Sequence, residues 1–119
     1  MIACMMSVAE SSIAGCVVRR SRMTDYGPLA RLLVHARIAD EQQATLTASA
    51  LLSHGRLFVI DTVAGALGGA IHVEVAGALG RIDFLAIDPS LAAERVDARL
   101  YTFAEAVCRH LGCTRIEVG

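Results

Sequence analysis

The stretch that most constrains the fold runs from Arg56 to Asp88. Three apolar runs of strand length, RLFVID, ALGGAIHVEVA and RIDFLAID, are separated only by TVAG and GALG. Connections this short do not allow a crossover, so the three runs are expected to pair as an antiparallel meander. Side chains alternate along a strand, so His72 and Glu74 share one face of the middle run, opposite Ile71, Val73 and Val75.

On either side the period lengthens. GCVVRRSRM reads as a short strand with a basic far end, and Arg19, Arg20 and Arg22 read as its solvated tip. In TDYGPLARLLVHARI, Thr24 is placed to cap a helix, Pro28 falls near its first turn, and Leu29, Leu32, Leu33 and Ala36 recur at helical spacing. Asp40 caps a second helix, EQQATLTASALLSHG, that ends at Gly55. A third helix is expected from about Ser90 to Leu111. Its apolar stripe is Val96, Leu100, Phe103, Val107 and Leu111, and Gly112 is its stop. CTRIEVG is then a last strand, parallel to RIDFLAID after the helical crossover. The order is β-α-α-β-β-β-α-β.

The 119 residues, 55% of them hydrophobic, suffice for one domain with its own core. Eleven basic and twelve acidic residues give a net charge of −1, which provides no footprint for nucleic acid or an anionic membrane. Cys4, Cys16, Cys108 and Cys113 form no CxxC pair and have no histidines at zinc spacing. They read as small buried hydrophobes with no metal site, which fits a reduced, cytoplasmic compartment. Residues 1–15 lack the basic start of a secretory signal and read as a flexible leader to a single domain over 16–119. No apolar run approaches the roughly 18–20 residues that cross a bilayer.

From Val17 to Val118 the chain resembles the Gcn5-related N-acetyltransferases (GNAT). The resemblance is carried by VVRRSRMTDYGPLARLL, by GRLFVIDTVAGALGGA with glycines at 65 and 68, and by FLAIDPSL leading to LGCTRIEV. It implies an α+β fold with a mixed, mainly antiparallel sheet, and a bound acetyl-CoA. The pantetheine arm would pair with main-chain groups of Leu85, Ala86 and Ile87, and the pyrophosphate would lie at the amino end of the next helix. That turn comprises Ala92, Ala93, Arg95, Val96 and Asp97. Ala92 stands where the family has an amide or basic residue, Ala93 and Arg95 where it has glycines, and Asp97 where it has a last glycine or alanine. The turn thus departs from the family's motif. Glu94 and Asp97 either complement the helix dipole with no phosphate present, or turn outward while Arg95 covers the phosphates.

The resemblance also implies attack of a primary amine, from a small molecule or a protein, on the thioester. Asp83, where many relatives carry a glutamate, is a candidate base, as are His72 and Glu74 on the neighbouring strand. Solvent exposure or ordinary ion pairing would equally explain these three, and His35, His54 and His110 read as surface residues. The family usually continues past the strand matching CTRIEV with another helix and further strands, and that helix often carries a proton-donating tyrosine. Neither Tyr26 nor Tyr101 is an obvious substitute. The exposed edge of that strand would suit a second copy of the chain or a protein partner. The alternative to an enzyme is a non-catalytic module of this fold, acting through protein binding or self-association with cofactor binding weakened or lost.

Overall fold

The computed structural model describes residues 16–119, so Cys4 and the expected leader lie outside the described residues. One five-stranded sheet has the order β1-β2-β3-β4-β5, with β1 at Val18–Arg20, β2 at Arg56–Asp61, β3 at Leu67–Ala76, β4 at Leu79–Ile87 and β5 at Arg115–Val118. The meander β2-β3-β4 is antiparallel, β1 adds antiparallel to β2, and β5 pairs parallel to β4, from Leu79 opposite Arg115 to Ile82 opposite Val118.

Helices cover both faces. On one side lie α1 (Tyr26–His35) and α2 (Glu41–Ser53); on the other lies α3 (Val96–His110). The alternation of β2 assigns its side chains: Leu57 and Val59 meet Leu29, Leu32 and Leu33 of α1 with Ala44 and Ala48 of α2, while Phe58 and Ile60 meet Val96, Leu100 and Ala104 of α3. With alanines on α2 and no tryptophan in the chain, close approach replaces bulk. A Cβ on Gly69 would come within 2.9 Å of both Leu100 and Val96, and one on Gly80 within 2.6 Å of the Cys108 sulfur. Glycine at these two strand positions lets α3 lie directly on the sheet.

Three expectations are corrected. Thr24 does not cap α1: residues Met23–Asp25 form a 3-10 turn, and Asp25 occupies the cap position with its carboxylate turned away to Arg19 and the Arg22 amide. The third helix does not start near Ser90, because Pro89–Glu94 form a 3-10 turn whose first amide is held by the Asp88 carboxylate, and α3 begins at Val96. Arg19 is not a solvated strand tip. It bonds Asp25 at 2.8 and 2.9 Å and Asp61 at 2.8 and 3.0 Å, tying β1, the 3-10 turn and the end of β2 together. The Asp40 cap forms as expected, accepting from the Gln43 amide at 2.8 Å.

Candidate functional site

The register of β3 on β4 contains a fault. Val73 pairs with Ile82 and His72 pairs with Phe84, so Asp83 is an extra residue with no partner. Such a bulge changes which face later side chains meet. Before it, Gly80 and Ile82 face α3; after it, Leu85 and Ile87 do, and Phe84 and Ala86 turn to the α1/α2 side. Asp83 itself projects to that same side, where it meets His72.

His72 is the buried member of the site, with 4% of its side chain exposed against 31% for Asp83. Its Nδ1 lies 2.7 Å from Asp83 Oδ1, and its Nε2 contacts the main-chain carbonyl of His54. A carbonyl only accepts, so Nε2 carries a proton and donates it. A carboxylate also only accepts, so the contact at Nδ1 requires a second proton between ring and carboxyl. Both ring nitrogens are thus engaged, and His72 has no free nitrogen to offer a substrate. His72 shares its strand face with Glu74, as expected, but its ring is covered by the α2–β2 junction. Gly55 makes that cover fit. Its φ is +59°, and a Cβ there would lie 2.8–2.9 Å from the His72 ring and from the Val73 carbonyl.

Glu74, two residues along β3, is exposed, and its carboxylate reaches the same place: donor atoms of His72, Glu74 and Asp83 lie within 4.8 Å of one another. All three candidate bases thus converge. The spacing also suits a divalent cation, which would have to displace the proton shared by His72 and Asp83. Asp83 further lines an open cleft of about 470 Å³ with Arg81, Glu117, Val118 and Gly119. Across it Arg81 pairs with Glu117 at 3.5 Å, both half-exposed and worth little to stability.

The remaining candidates lie along the edge of β4 and at the start of α3. Pairing with β5 ends at Ile82, where the Gly119 amide donates to the Ile82 carbonyl; past it, no described residue pairs with that edge over Leu85, Ala86 and Ile87. Ala92 and Ala93 fall in the 3-10 turn, and Arg95, Val96 and Asp97 form the start of α3. Arg95 adopts φ 55° and ψ 41°, the left-handed conformation that the family's glycines would accept without cost. Among the described residues no side chain of the N-cap residue Arg95 caps α3, and the helix dipole favours an anion at the start of this 15-residue helix. Val96 is buried and offers only its amide. Asp97 stands in the first turn, with the Arg95 guanidinium 3.9 Å from it and both groups largely in solvent. The main chain thus fits a pyrophosphate, and the Asp97 carboxylate opposes it.

The Arg19–Asp25–Asp61 cluster was not foreseen, and it shows how firmly the sheet's other end is fixed. Hydrogen bonds from Arg19 hold the Asp25 carboxyl below the ordinary carboxylate range, and both aspartates raise the already high value of the guanidinium. The three described cysteines pack in or against the core. Cys108 and Cys113 are buried and Cys16 is half-buried, all as free thiols; burial, then the neighbouring Cys113, pushes the Cys108 thiol up. No described helix is long and apolar enough to cross a membrane.

No protein-family model and no curated protein matches this sequence. Solved structures match its fold. A ribosomal-protein-alanine N-acetyltransferase from Brucella melitensis biovar Abortus superposes with a TM-score of 0.74 at 12% identity, over 88% of this chain and 80% of its own. A GNAT family acetyltransferase from Staphylococcus aureus gives 0.69 at 14% identity, over 87% and 85%. An aminoglycoside N-acetyltransferase in complex with CoA gives 0.68 at 12% identity, over 87% and 76%. The chain therefore has the GNAT fold, with its mixed, mostly antiparallel sheet between helices.

Proposed function

We propose that the protein is an acetyl-CoA-dependent N-acetyltransferase acting on a primary amine. The observation that carries this reading is the bulge at Asp83. It aims a carboxylate into the cleft beside the point where β4 loses its β5 partner, where the sequence resemblance would place the thioester.

Acetyl-CoA would supply the activated acyl group. The free edge over Leu85–Ile87 binds its arm, and the amides of Arg95, Val96 and Asp97 take the pyrophosphate, with the Arg95 guanidinium offsetting Asp97. Asp83 and Glu74 receive the acceptor's ammonium group. Asp83 is already hydrogen-bonded to His72, so Glu74, the exposed carboxylate of the three, takes the ammonium proton and leaves the amine lone pair free to attack. His72 is a positioning residue: held by His54, it fixes the Asp83 carboxylate in the bulge. Two structural neighbours are an aminoglycoside N-acetyltransferase and a ribosomal-protein-alanine N-acetyltransferase, which supports an amine acceptor.

The test is release of CoA thiol with a panel of amines, for wild type, Glu74→Gln and Asp83→Asn. Turnover reduced at least tenfold in Glu74→Gln, with acetyl-CoA affinity unchanged, supports the assignment. A Glu74→Gln variant with wild-type turnover refutes the role of Glu74. Wild-type protein that binds acetyl-CoA without turning over any amine favours the non-catalytic module.

A further inference from the structure

A second cleft lies on the opposite face of the sheet, between the β1–β2 end and the carboxyl half of α3, away from Asp83. Its volume is about 390 Å³, in the range of small-molecule sites. The floor is apolar: Phe58 and Phe103 meet edge to face with centroids 5.1 Å apart, and Val107 and Leu111 extend the surface along α3.

The rim carries one sign of charge. Arg20 and Arg56 line the cleft with His110, and among the described residues no acidic one does. Among the described residues no carboxylate lies within 4.0 Å of Arg20 or Arg56; Glu105, nearby on α3, is held by Arg109 on the outward face. Arg20 instead lies over the Phe58 ring, 5.8 Å from its centroid. At the end of α3 the carbonyls of Val107, Cys108 and Arg109 accept from the amides of Leu111, Cys113 and Gly112.

An aromatic floor beneath two unpaired guanidinium groups is complementary to one kind of small molecule. We infer that this cleft binds an organic carboxylate with an apolar body of about bicyclic size. The body lies on Phe103, Val107 and Leu111, and the carboxylate faces Arg20 and Arg56, whose planar donors match its two oxygens. The inference does not depend on the acetyltransferase reading, since neither the cleft nor its residues take part in that site.

The probes are 1-naphthaleneacetate and its uncharged amide, 1-naphthaleneacetamide, titrated into the full chain by calorimetry and followed by amide NMR shifts. The carboxylate should bind at least about tenfold more tightly than the amide, with shifts centred on Phe58, Phe103 and Val107. In Arg20→Gln/Arg56→Gln that preference should vanish while weak amide binding persists, and Val107→Trp should abolish both. The double variant's melting temperature checks that it folds, and the acid-to-amide ratio of the wild type tests the inference without any variant. Equal binding of acid and amide, no binding at millimolar probe, or shifts centred on the start of α3 would overturn it.

Discussion

Replacing Gly55 by alanine tests the link between the α2–β2 junction and the site. The residue sits at φ +59°, where a side chain costs roughly 1–2 kcal/mol. The new Cβ would also stand 2.8 Å from His72 Cε1 and from the Val73 carbonyl, and 2.9 Å from His72 Nε2, closer than real Cβ contacts come. The carbonyl belongs to a central strand and cannot retreat, so the ring must. Moving it weakens the bond to His54 and strains the one to Asp83, at about 0.5–1.5 kcal/mol for each bond lost. Together these give a destabilisation of about 2–5 kcal/mol. Urea denaturation should show a lower midpoint at unchanged slope, and the His72 ring resonances should shift with those of the Asp83 amide. Alanine at a compatible glycine position stabilises by about 0.4–1 kcal/mol. A Gly55→Ala protein as stable as wild type, or more so, with an unmoved His72 resonance, would refute the reasoning.

Arg19→Met leaves the buried Asp25 carboxylate without its main partner and should cost about 2–4 kcal/mol, toward the lower part of the range for broken buried pairs because Asp61 is part-exposed; denaturant midpoints check this. Because Asp25 is held below its ordinary value of 3.8, the stability it contributes is fully present above about pH 4 and is lost as pH falls through the folded value; Asp25→Asn should flatten that acid limb of the stability–pH curve. Alkylation at pH 8 followed by peptide mapping should modify half-buried Cys16 well before Cys108, whose thiol is pushed up by burial, and equal rates would contradict that environment. Arg95→Gly should relieve the left-handed strain and yet weaken acetyl-CoA binding severalfold in calorimetry; tighter binding would mean that the guanidinium obstructs the turn instead of offsetting Asp97.

Signals that are local in sequence were legible. RLFVID is bounded by Gly55 and a turn, and β2 spans those six residues; Asp40 precedes a helical run and caps it; Gly112 ends α3 with a φ of +89°. Signals that depend on distant partners were not. Arg19 read as solvated because Asp61 lies 42 residues away, and only the sheet brings them together. The bulge was invisible because Phe84, Leu85, Ala86 and Ile87 are all apolar and give no sign of which face each meets, so the extra residue appears only in the register against β3. His72 and Glu74 share a face as their spacing requires, but their different burial comes from the chain at Gly55, which covers one and not the other. The start of α3 was misplaced because a proline in the first turn of a helix reads the same in a 3-10 turn.

Acetyl-CoA binding at the start of α3 and the open edge of β4, beside the Asp83 bulge, is tested by calorimetric titration of the full chain with acetyl-CoA at low salt. The expected result is saturable, one-to-one binding that weakens as salt is added, as a phosphate held by helix amides and Arg95 requires. No heat at millimolar cofactor, together with an unchanged melting temperature, would contradict it.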